Sequence, residues 1–587
     1  MKYPLDIFKT EITTQLKDIL SKYKCEIKLE PSPEGLGDFA FPCFHLAPIL
    51  KKPPVEISKD LASKIEKSKW ILKTEAKGGY INFFIDNNSL IDSTLNSIIK
   101  LKNKYGHLQK KNKKVIIEHT SANPNGPLHV GRARNPIIGD TIVRIFKAAG
   151  YNVESQFYLD DMGKQATILA WGFNNLEVTK LINEFYNINK FYPGGSKDFR
   201  NKSDHQRVGY YQIASNRMQE DDKTLDEINE WVKRSESGEN KIINLIHQAY
   251  NPVLEGIKES LNRINIIVDK YIPESNFVKD KSVNLVVEKL KKSKYCSKEE
   301  GAFYLDLEPF GIQGRNTKFI FVRKDGTTLY ATRDIAYHLW KAKNADLLIN
   351  ILGEDHKLES KQVEIALHLM GAKIIPKVIF YSFVSLPGGK MSTRRGRVVH
   401  LDDLIDECVK RAYNEVKKRR GKELTEKQMK EIAERVGIGA LRYNIIKVQP
   451  EKDIVFKWEE ALNFEGNASP FIQYSHARAC SILSKTTDKK RDFDSDTLKH
   501  DSEIKLIKQL ARFPLFINDA SSGYKPHIIT NYLYETASKF NQFYRDCPVI
   551  SEKNTLLRRS RIAVVDASRI VLKNALDLLG ISAPEEM

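Results

Sequence analysis

Residues 115–158 constrain the fold of this 587-residue chain more than any other segment. Residues 115–117 (Val-Ile-Ile) are a short apolar run of the kind that is buried in a parallel sheet. A loop rich in Pro, Asn and Gly follows, and the next helix places Ile138, Ile142 and Ile145 on one face before it ends at Gly150. Residues 153–158 have the pattern of a second strand. This order predicts an α/β domain with a doubly wound, Rossmann-like parallel sheet.

The remainder of the chain has room for further domains on either side of this unit. Residues 1–110 open with a helical pattern and contain a strand-like run at 79–84, which predicts an α+β N-terminal domain. Residues 466–587 are helical in pattern and end in an amphipathic segment closed by a glycine, which predicts an all-α C-terminal domain.

The α/β domain is expected to occupy residues 111–465. A more charged, mostly helical insertion at about 175–300 interrupts its alternation of strands and helices. The strand pattern then returns three times, at residues 319–322, 347–352 and 378–386.

The formal net charge is +19, from 94 Lys and Arg against 75 Asp and Glu. Such a surplus is typical of proteins that bind polyanions, because lysines and arginines release phosphate counterions; a generally basic proteome is the alternative interpretation. The six cysteines are scattered without a CxxC pair, which argues against disulfides and a cysteine-based zinc site. No apolar run approaches the ~18 residues of a membrane span, and the first residues lack a signal-peptide core. We therefore expect a cytoplasmic protein.

The loop after the first predicted strand ends in residues 124–132, Pro-Asn-Gly-Pro-Leu-His-Val-Gly-Arg. Unpaired backbone N–H groups and the helix dipole favour an anion here. Gly131 allows a base or phosphate to approach the backbone closely. His129 and Arg132 lie on one side of the first turn, where both can donate to phosphate oxygens. Taken alone, this pattern also fits a capping or packing histidine.

A second loop, residues 386–396 (Leu-Pro-Gly-Gly-Lys-Met-Ser-Thr-Arg-Arg-Gly), follows the last predicted strand. Its Pro-Gly-Gly hinge carries Lys390, Arg394 and Arg395. Mobile cations of this kind suit phosphoryl chemistry, because they close on the charge that develops in the transition state. An exposed basic loop is the alternative interpretation.

Together the two loops resemble H-I-G-H and K-M-S-K-S, the hallmarks of the class I aminoacyl-tRNA synthetases, in order and in setting. Four stretches are similar to the arginyl-tRNA synthetase family in particular: residues 121–132, 158–165, 325–337 and 470–478. The resemblance extends to the last residues of the chain. It implies an arginine–tRNA ligase for protein synthesis, which makes arginyl-adenylate and pyrophosphate from L-arginine and ATP and then forms arginyl-tRNA and AMP.

The resemblance also implies roles for individual residues. The implied catalytic residues are His129, Gly131, Arg132, Lys390, Met391 and Ser392. Those implied for ATP, which Mg²⁺ would accompany, are Pro124, Asn125, Gly126, His129, Gly131 and Lys390. Those implied for arginine are Glu118, Ser121, Asn123, His129, Tyr330 and Asp334. No structural metal is expected.

Within the arginine set, Asp334 and Tyr330 would hold the guanidinium, because a carboxylate accepts two hydrogen bonds from this planar fork. Glu118 and Asn123 would hold the α-amino end. Outside the family context the ordinary interpretations of these residues prevail. They are a helix cap for Asp334, a core residue for Tyr330, a surface residue at a strand end for Glu118 and a turn former for Asn123.

For tRNA, the family implies that the N-terminal domain contacts the outer corner of the L-shaped molecule and that the C-terminal domain reads the anticodon. Unpaired bases are read by stacking and by hydrogen bonds to their edges. Candidate contacts are Gln473, Tyr474, His476 and Arg478, a set that equally fits helix packing and a salt bridge. Family members generally need bound tRNA before they activate the amino acid. We expect a monomer without a membrane partner.

Three positions depart from the family patterns. Arg132 replaces the second histidine of H-I-G-H and keeps a cation there. Thr393 stands at the second lysine of K-M-S-K-S, which leaves the two following arginines as substitutes. Asp160 replaces an asparagine and receives no role, since Asp161 is the matching acid.

Two other functions stay open at this point. One is a catalytically inactive synthetase paralogue that binds tRNA, which the retained His129, Gly131, Lys390 and Ser392 argue against. The other is a class I enzyme for a different amino acid, such as cysteine. The absence of a zinc-type cysteine cluster and the presence of Asp334 argue against it.

Overall fold

The computed structural model describes residues 3–33, 35–123, 125–177, 202–314, 317–385, 400–486, 488 and 492–587. Its strands are β1 (Glu30–Pro31), β2 (Phe39–Pro42), β3 (Ile71–Lys77), β4 (Tyr80–Ile85), β5 (Lys114–Glu118), β6 (Asn152–Leu159), β7 (Lys270–Pro273), β8 (Cys296–Glu299), β9 (Ala302–Asp306), β10 (Lys318–Val322), β11 (Leu347–Gly353), β12 (Lys377–Tyr381), β13 (Val384–Ser385) and β14 (Ile454–Val455).

The helices before the central insertion are α1 (Pro4–Ile19), α2 (Ala47–Leu50), α3 (Pro54–Lys64), α4 (Asn87–Leu101), α5 (Arg134–Ala148) and α6 (Gly163–Asn175). The middle of the chain contains α7 (Ser203–Glu220), α8 (Asp222–Glu236), α9 (Asn240–Arg263), α10 (Ser275–Lys279), α11 (Ser282–Lys291), α12 (Tyr330–Asn344) and α13 (Lys357–Leu369). The last part contains α14 (Leu401–Arg420), α15 (Glu426–Ile446), α16 (Trp458–Ala461), α17 (Ser469–Lys485), α18 (Asp501–Ala511), α19 (Phe513–Gly523), α20 (His527–Asp546) and α21 (Thr555–Leu578).

The centre of the molecule is a five-stranded parallel sheet in the order β12–β11–β5–β6–β7. β5 comes first in the chain, and the chain extends the sheet on one side through β6 and β7 and then on the other through β11 and β12. The predicted fold class is confirmed. In such sheets ligands bind beyond the carboxyl ends of the strands where the winding reverses, which here lies between β5 and β11.

Two predictions about strands were wrong. Residues 319–322 do form a strand, but β10 pairs antiparallel with β9 in a separate three-stranded sheet. Ile320 is exposed while Phe319 and Phe321 are buried, so this apolar run covers only one face, as antiparallel strands commonly do. Residues 270–273 lie inside the predicted helical insertion, yet they form β7, the edge strand of the parallel sheet. Their sequence, Lys-Tyr-Ile-Pro, is too short and too polar to give a strand pattern.

The flanking regions are α+β and all-α, as predicted. In the N-terminal region an antiparallel sheet, β1–β2–β4–β3, packs with α1 and α3 around a core that includes Phe8 and Phe41. The C-terminal region touches it directly, because Nζ of Lys508 on α18 donates to Oδ1 of Asp38 at 2.7 Å. None of the helices in the described ranges is both long and apolar enough to cross a membrane.

A buried ionic cluster fastens the insertion to α14. The ammonium of Lys202 lies 2.8 Å from Oδ2 of Asp402 and 3.1 Å from Oδ2 of Asp204. Ser260 donates to Asp402, and Nε2 of His205 lies 3.3 Å from it. Two carboxylates and a histidine within 4.8 Å of one another have the composition of a metal site, but here the lysine supplies the balancing charge. Burial favours the neutral acid, yet the bonds from His205 and Lys202 lower the pKa of Asp402 below its ordinary value.

We expect Lys202→Met to destabilise the protein by about 3–5 kcal/mol, because it leaves buried carboxylates without their cation. Since the folded-state pKa of Asp402 is lowered, its contribution is complete at neutral pH and is lost only below its ordinary value of about 3.9. Calorimetric unfolding at about pH 7 should show this deficit. Lys223→Met, which removes an exposed lysine from α8, is the control. Equal unfolding midpoints for the two variants would contradict this assignment.

Candidate active site

A cleft of about 670 Å³ opens at the carboxyl edge of the parallel sheet, over the reversal between β5 and β11. Four adjacent strands contribute to its wall at or just after their last residues. These wall residues are Glu118 from β5, Asp160 after β6, Gly353 from β11 and Tyr381 from β12. Helix α12 forms a further wall. The cleft therefore lies where the topology of a doubly wound sheet predicts a ligand.

The loop motif of residues 124–132, here called the first motif, ends in a tight 3₁₀ turn, Val130–Arg132, that leads into α5. Nδ1 of His129 accepts a hydrogen bond of 2.9 Å from the backbone N–H of Gly131, so the ring carries its proton on Nε2. A Cβ at residue 131 would lie 2.9 Å from that Nδ1, and the glycine therefore makes room for the histidine ring. Burial and the charge of Arg132 lower the pKa of His129. Its Nε2 is buried and has no hydrogen-bond partner among the described residues, which leaves one oriented donor.

Buried hydrogen bonds fix the beginning of α5, which in turn holds the loop after β5. Arg134 is fully buried and donates to three backbone oxygens in the loops that follow β12 and α15. Asn135 accepts from the backbone N–H of Thr120 at 2.6 Å and donates to the backbone of β11. Thr120 and Ser121 have φ angles of +73° and +36°. Two successive non-glycine residues in the left-handed region are strained, and such strain is typical of functional sites.

Tyr330 and Asp334 lie one turn apart on α12, and both line the cleft. Oδ1 of Asp334 is 3.1 Å from Nδ1 of His338, one further turn along the helix. Burial alone would raise the pKa of Asp334, but His338 and Lys341 outweigh it and the pKa is lowered. Asp334 is therefore ionised at neutral pH, as a carboxylate must be to accept two hydrogen bonds from a guanidinium.

On the strand side of the cleft, Glu118 uses both of its carboxylate oxygens. Oε1 accepts from Oγ of Ser121 at 3.1 Å, and Oε2 accepts from Nζ of Lys341 at 2.6 Å. Nearby, Asn123 donates to Oε1 of Gln165 at 2.7 Å, so the first motif is bound to the beginning of α6. This wall of the cleft therefore carries the carboxylate of Glu118 and several polar groups, which suit a positively charged ammonium group.

A second cluster of charged residues lies at the same cleft: Arg333, Glu236 and Asp160 line it, and Glu274 is buried beside Arg333. Nε of Arg333 lies 2.8 Å from Oε1 of Glu274, and one terminal nitrogen lies 3.4 Å from Oε1 of Glu236. Burial raises the pKa of Glu274 and of Glu236, and it raises the pKa of Asp160 to about 6. Sequence reasoning gave Asp160 no role and missed the other three. The structure adds an acidic region to the cleft that no motif spacing indicated.

Comparison with known proteins adds an independent finding. The model described as "tRNA synthetases class I (R), catalytic domain" matches residues 94–458, more than half of the chain. The chain belongs to the arginyl-tRNA synthetase family. The models of the arginyl-tRNA synthetase N-terminal domain and of the DALR anticodon-binding domain match residues 6–85 and 472–587.

Relatives of this family match over nearly the whole length. The chain is 46% identical to the arginine–tRNA ligase of Methanocella arvoryzae, covering 93% of this chain and 92% of the relative. It is 42% identical to that of Methanothermobacter thermautotrophicus, covering 99% and 98%. The solved structure of Thermus thermophilus arginyl-tRNA synthetase superposes with a TM-score of 0.79 at 26% identity, covering 98% of this chain and 99% of that one. The chain is thus a class I arginine–tRNA ligase by sequence and fold.

Within this arginyl-tRNA synthetase fold, many of the residues predicted from the sequence lie around one cleft: Glu118, Ser121, Asn123, Arg132, Tyr330 and Asp334. His129 and Gly131 form the turn beside it. Gly126 lies beside the insertion, where a Cβ at this position would be 2.9 Å from Cγ2 of Val208. Asn125 donates to Gln165 at 3.1 Å.

Four predicted residues lie outside the described ranges: Pro124, Lys390, Met391 and Ser392. The first described residue after the second loop nevertheless meets the first motif. His400 forms an antiparallel bridge with His129, and the N–H of Leu401 donates to the backbone oxygen of Leu128 at 2.7 Å. His400 and Leu401, which follow the second loop in the chain, are therefore neighbours of the first motif.

The four residues predicted to contact tRNA divide into two pairs. Gln473 is buried and donates to the backbone oxygens of Ser582 and Arg435, and Nδ1 of His476 lies 2.8 Å from the backbone oxygen of Pro584. This pair holds the C-terminal tail. The other pair is at the surface, and a further aromatic residue that the sequence did not indicate joins it. The guanidinium of Arg478 lies 4.7 Å from the ring of Tyr474 and 5.2 Å from that of Tyr544, and both rings are more than two-fifths exposed.

Proposed function

We propose that this cleft activates L-arginine with MgATP and then transfers the arginyl group to the 3′ end of tRNA(Arg). In the first step the carboxylate of arginine attacks the α-phosphate of ATP, which gives arginyl-adenylate and releases pyrophosphate. In the second step the 2′-hydroxyl of the terminal adenosine attacks the activated carbonyl and AMP leaves. The observation that carries this proposal is the common cleft of Glu118 and Asp334 beside Arg132.

In the proposed pose, the guanidinium of arginine lies against Asp334 and Tyr330, and its α-ammonium lies against Glu118, Ser121 and Asn123. An ionised Asp334 favours the guanidinium, which presents paired N–H donors. A lysine substrate offers a compact ammonium that cannot satisfy both oxygens of a fixed carboxylate. Buried polar groups left unpaired in this way give large discrimination.

ATP is proposed to lie over the turn of the first motif, near Pro124, Asn125 and Gly126. Nε2 of His129 is an oriented neutral donor for a phosphate oxygen, and Arg132 adds a cation. Catalysis of phosphoryl transfer of this kind consists mainly of positioning and charge stabilisation.

The second loop would complete the phosphate site. We propose that Lys390, with Met391 and Ser392, closes on the pyrophosphate as charge develops there. Mg²⁺ accompanies the nucleotide and neutralises the same oxygens. Thr393 stands where the family pattern has a second lysine, and Arg394 or Arg395 would supply that positive charge instead.

Charging of tRNA(Arg) tests the proposal most simply. Purified protein with ATP, tRNA(Arg) and a panel of amino acids is expected to release pyrophosphate and to form aminoacyl-tRNA with arginine alone. Absence of both products, with tRNA binding intact, would favour the inactive paralogue. Charging with a different amino acid would favour a class I enzyme of another specificity.

We also propose that Tyr474, Arg478 and Tyr544 form the surface that stacks on anticodon bases. Stacking on an aromatic side chain contributes ~1–3 kcal/mol per base, so Tyr474→Ala is expected to raise the KM for tRNA ~10-fold. At saturating tRNA the KM for arginine should stay unchanged. Leu285→Ala, which removes an exposed apolar side chain from α11, is the control. An unchanged KM for tRNA in the tyrosine variant would exclude this surface.

The wider organisation is proposed on the same basis. We take residues 1–110 as the domain that contacts the outer corner of tRNA, 111–465 as the catalytic domain and 466–587 as the anticodon-binding domain. We propose that the protein acts as a cytoplasmic monomer without a membrane partner. The large positive charge suits a polyanionic substrate.

A further inference from the structure

One buried lysine joins the two acids of the proposed arginine site. Lys341 lies on α12 and is fully buried. Its Nζ lies 2.6 Å from Oε2 of Glu118, 3.1 Å from Oδ1 of Asn350 and 3.2 Å from Nε2 of His338. The other ring nitrogen of His338, Nδ1, lies 2.8 Å from the backbone oxygen of Asp334 and 3.1 Å from Oδ1 of its carboxylate. A continuous polar path therefore runs from Glu118 to Asp334 through Lys341 and His338.

The partners of His338 determine which of its two ring nitrogens donates a hydrogen bond and which accepts one. Nε2 faces two donors, the ammonium of Lys341 and, at 2.7 Å, the amide nitrogen of Asn350. It must accept, so the ring proton lies on Nδ1 and points to Asp334. Lys341 is the cation that lies between the two carboxylates.

The helix explains why these side chains meet. Tyr330, Asp334, His338 and Lys341 recur at intervals of four, four and three residues, which places them on one face of α12. That face packs against β5 and β11, which supply Glu118 and Asn350. A single helix face thus carries the proposed guanidinium contacts at one end and the lysine at the other.

We propose that Lys341 is a positioning residue for the α-ammonium of arginine: it holds the carboxylate of Glu118 in place at the wall of the cleft. The inference rests on the proposed arginine site. Two carboxylates and one ammonium give this network a net charge of −1, which matches the net +1 of arginine at neutral pH. Without Lys341 the network would carry −2, and a buried carboxylate that has lost its cation takes up a proton more readily.

A purely structural lysine would act differently. Its removal would leave an uncompensated buried charge and destabilise the fold, and it would weaken the binding of ligands with and without an α-amino group alike. Glu118, however, is not sealed off, because it lines the cleft and its Oε1 is held by a single hydroxyl. The lysine therefore acts on a carboxylate that a ligand can reach.

The test compares arginine with des-amino-arginine, which lacks the α-amino group and keeps the guanidinium. Binding to the full-length protein with tRNA(Arg) present is measured by calorimetry. Lys341→Met is expected to weaken arginine ~30-fold, in the range found for lost buried charge partners. It should leave des-amino-arginine within ~3-fold of wild type, as substitutions remote from a ligand do. Lys343→Met, an exposed lysine two residues along the same helix, is the control and should change neither.

Two further measurements separate positioning from damage to the fold. In a Glu118→Gln background, Lys341→Met should add less than ~3-fold to the loss of arginine binding, because the lysine acts through that carboxylate. The loss in Lys341→Met alone should grow as the pH falls from about 8.5 to about 6, whereas wild type stays level. The titratable groups that face Glu118 are Lys341, Tyr330 and Tyr337 on α12 and His119 beside it, with His338 beyond the lysine.

The outcomes are distinguishable. Equal weakening of arginine and des-amino-arginine would overturn the inference, since it would mean that the site had collapsed. Unchanged binding of both ligands would overturn it as well. If wild type binds neither ligand and charges no tRNA with arginine, the proposed function fails, and not merely the role of Lys341. Lys341→Gln, which keeps a donor but no charge, is expected to fall between Lys341→Met and wild type.

Discussion

Replacing Asp334 with asparagine is expected to raise the KM for arginine ~100-fold or more, while the KM for ATP changes less than ~3-fold. The substitution keeps the shape of the side chain and removes its charge. The new amide presents a donor to a guanidinium that itself has only donors. One hydrogen-bond acceptor of the pair is lost, and the buried guanidinium is left partly unpaired.

Steady-state pyrophosphate exchange with saturating tRNA gives both constants for this variant. Asp60→Asn, an exposed carboxylate on α3 that does not line the cleft, is the matched control. Parallel losses for arginine and ATP would show that Asp334 supports the whole cleft, and the guanidinium assignment would then be wrong.

Replacing His129 with alanine is expected to lower kcat for adenylate formation ~10²–10³-fold, the usual effect of losing one oriented donor to a developing charge. The KM for arginine should hardly change, because the ring lies at the phosphate side of the proposed pose. Since burial and Arg132 lower the pKa of His129, the ring is already neutral at pH 7. The shape of the pH–rate profile above pH ~6.5 should therefore be the same in variant and wild type.

Single-turnover measurement of adenylate formation isolates this step. His129→Gln carries an amide donor near the position of Nε2 and should recover part of the rate. His368→Ala, which removes an exposed histidine at the end of α13, should leave the rate unaltered. A His129→Ala enzyme with normal kcat and a weakened KM for arginine would move the residue from phosphate chemistry to amino-acid binding.

The parts of the fold that were predictable are those with local signals. β5 is buried on both faces and is followed by a glycine-bearing loop and a one-sided helix, so residues 115–158 predicted the first unit of the sheet. β10 has a similar apolar run but belongs to another sheet, because strand pairing depends on distant residues that no window contains. β7 is a short edge strand in which a lysine and a proline mask the pattern.

The candidate site shows the same division. The turn of His129 and the pair of Tyr330 and Asp334 follow from motifs in which the relevant residues are close in sequence. Glu274 and Arg333 come from different elements and meet only in the folded chain, so motif spacing carried no sign of them. Lys341 could have been predicted from the sequence, because its seven-residue spacing from Asp334 places both residues on one helix face. The same division holds at the C-terminal surface, where the aromatic residue from α20 was missed.

A structure of the protein with L-arginine bound tests the central claim most directly. We expect the guanidinium to donate to both carboxylate oxygens of Asp334 at about 3 Å and the α-ammonium to lie at a similar distance from Glu118. The cleft is also lined by a second pair of acidic residues, Asp160 and Glu236. A guanidinium bound there, with Asp334 still paired only to His338, would contradict the account.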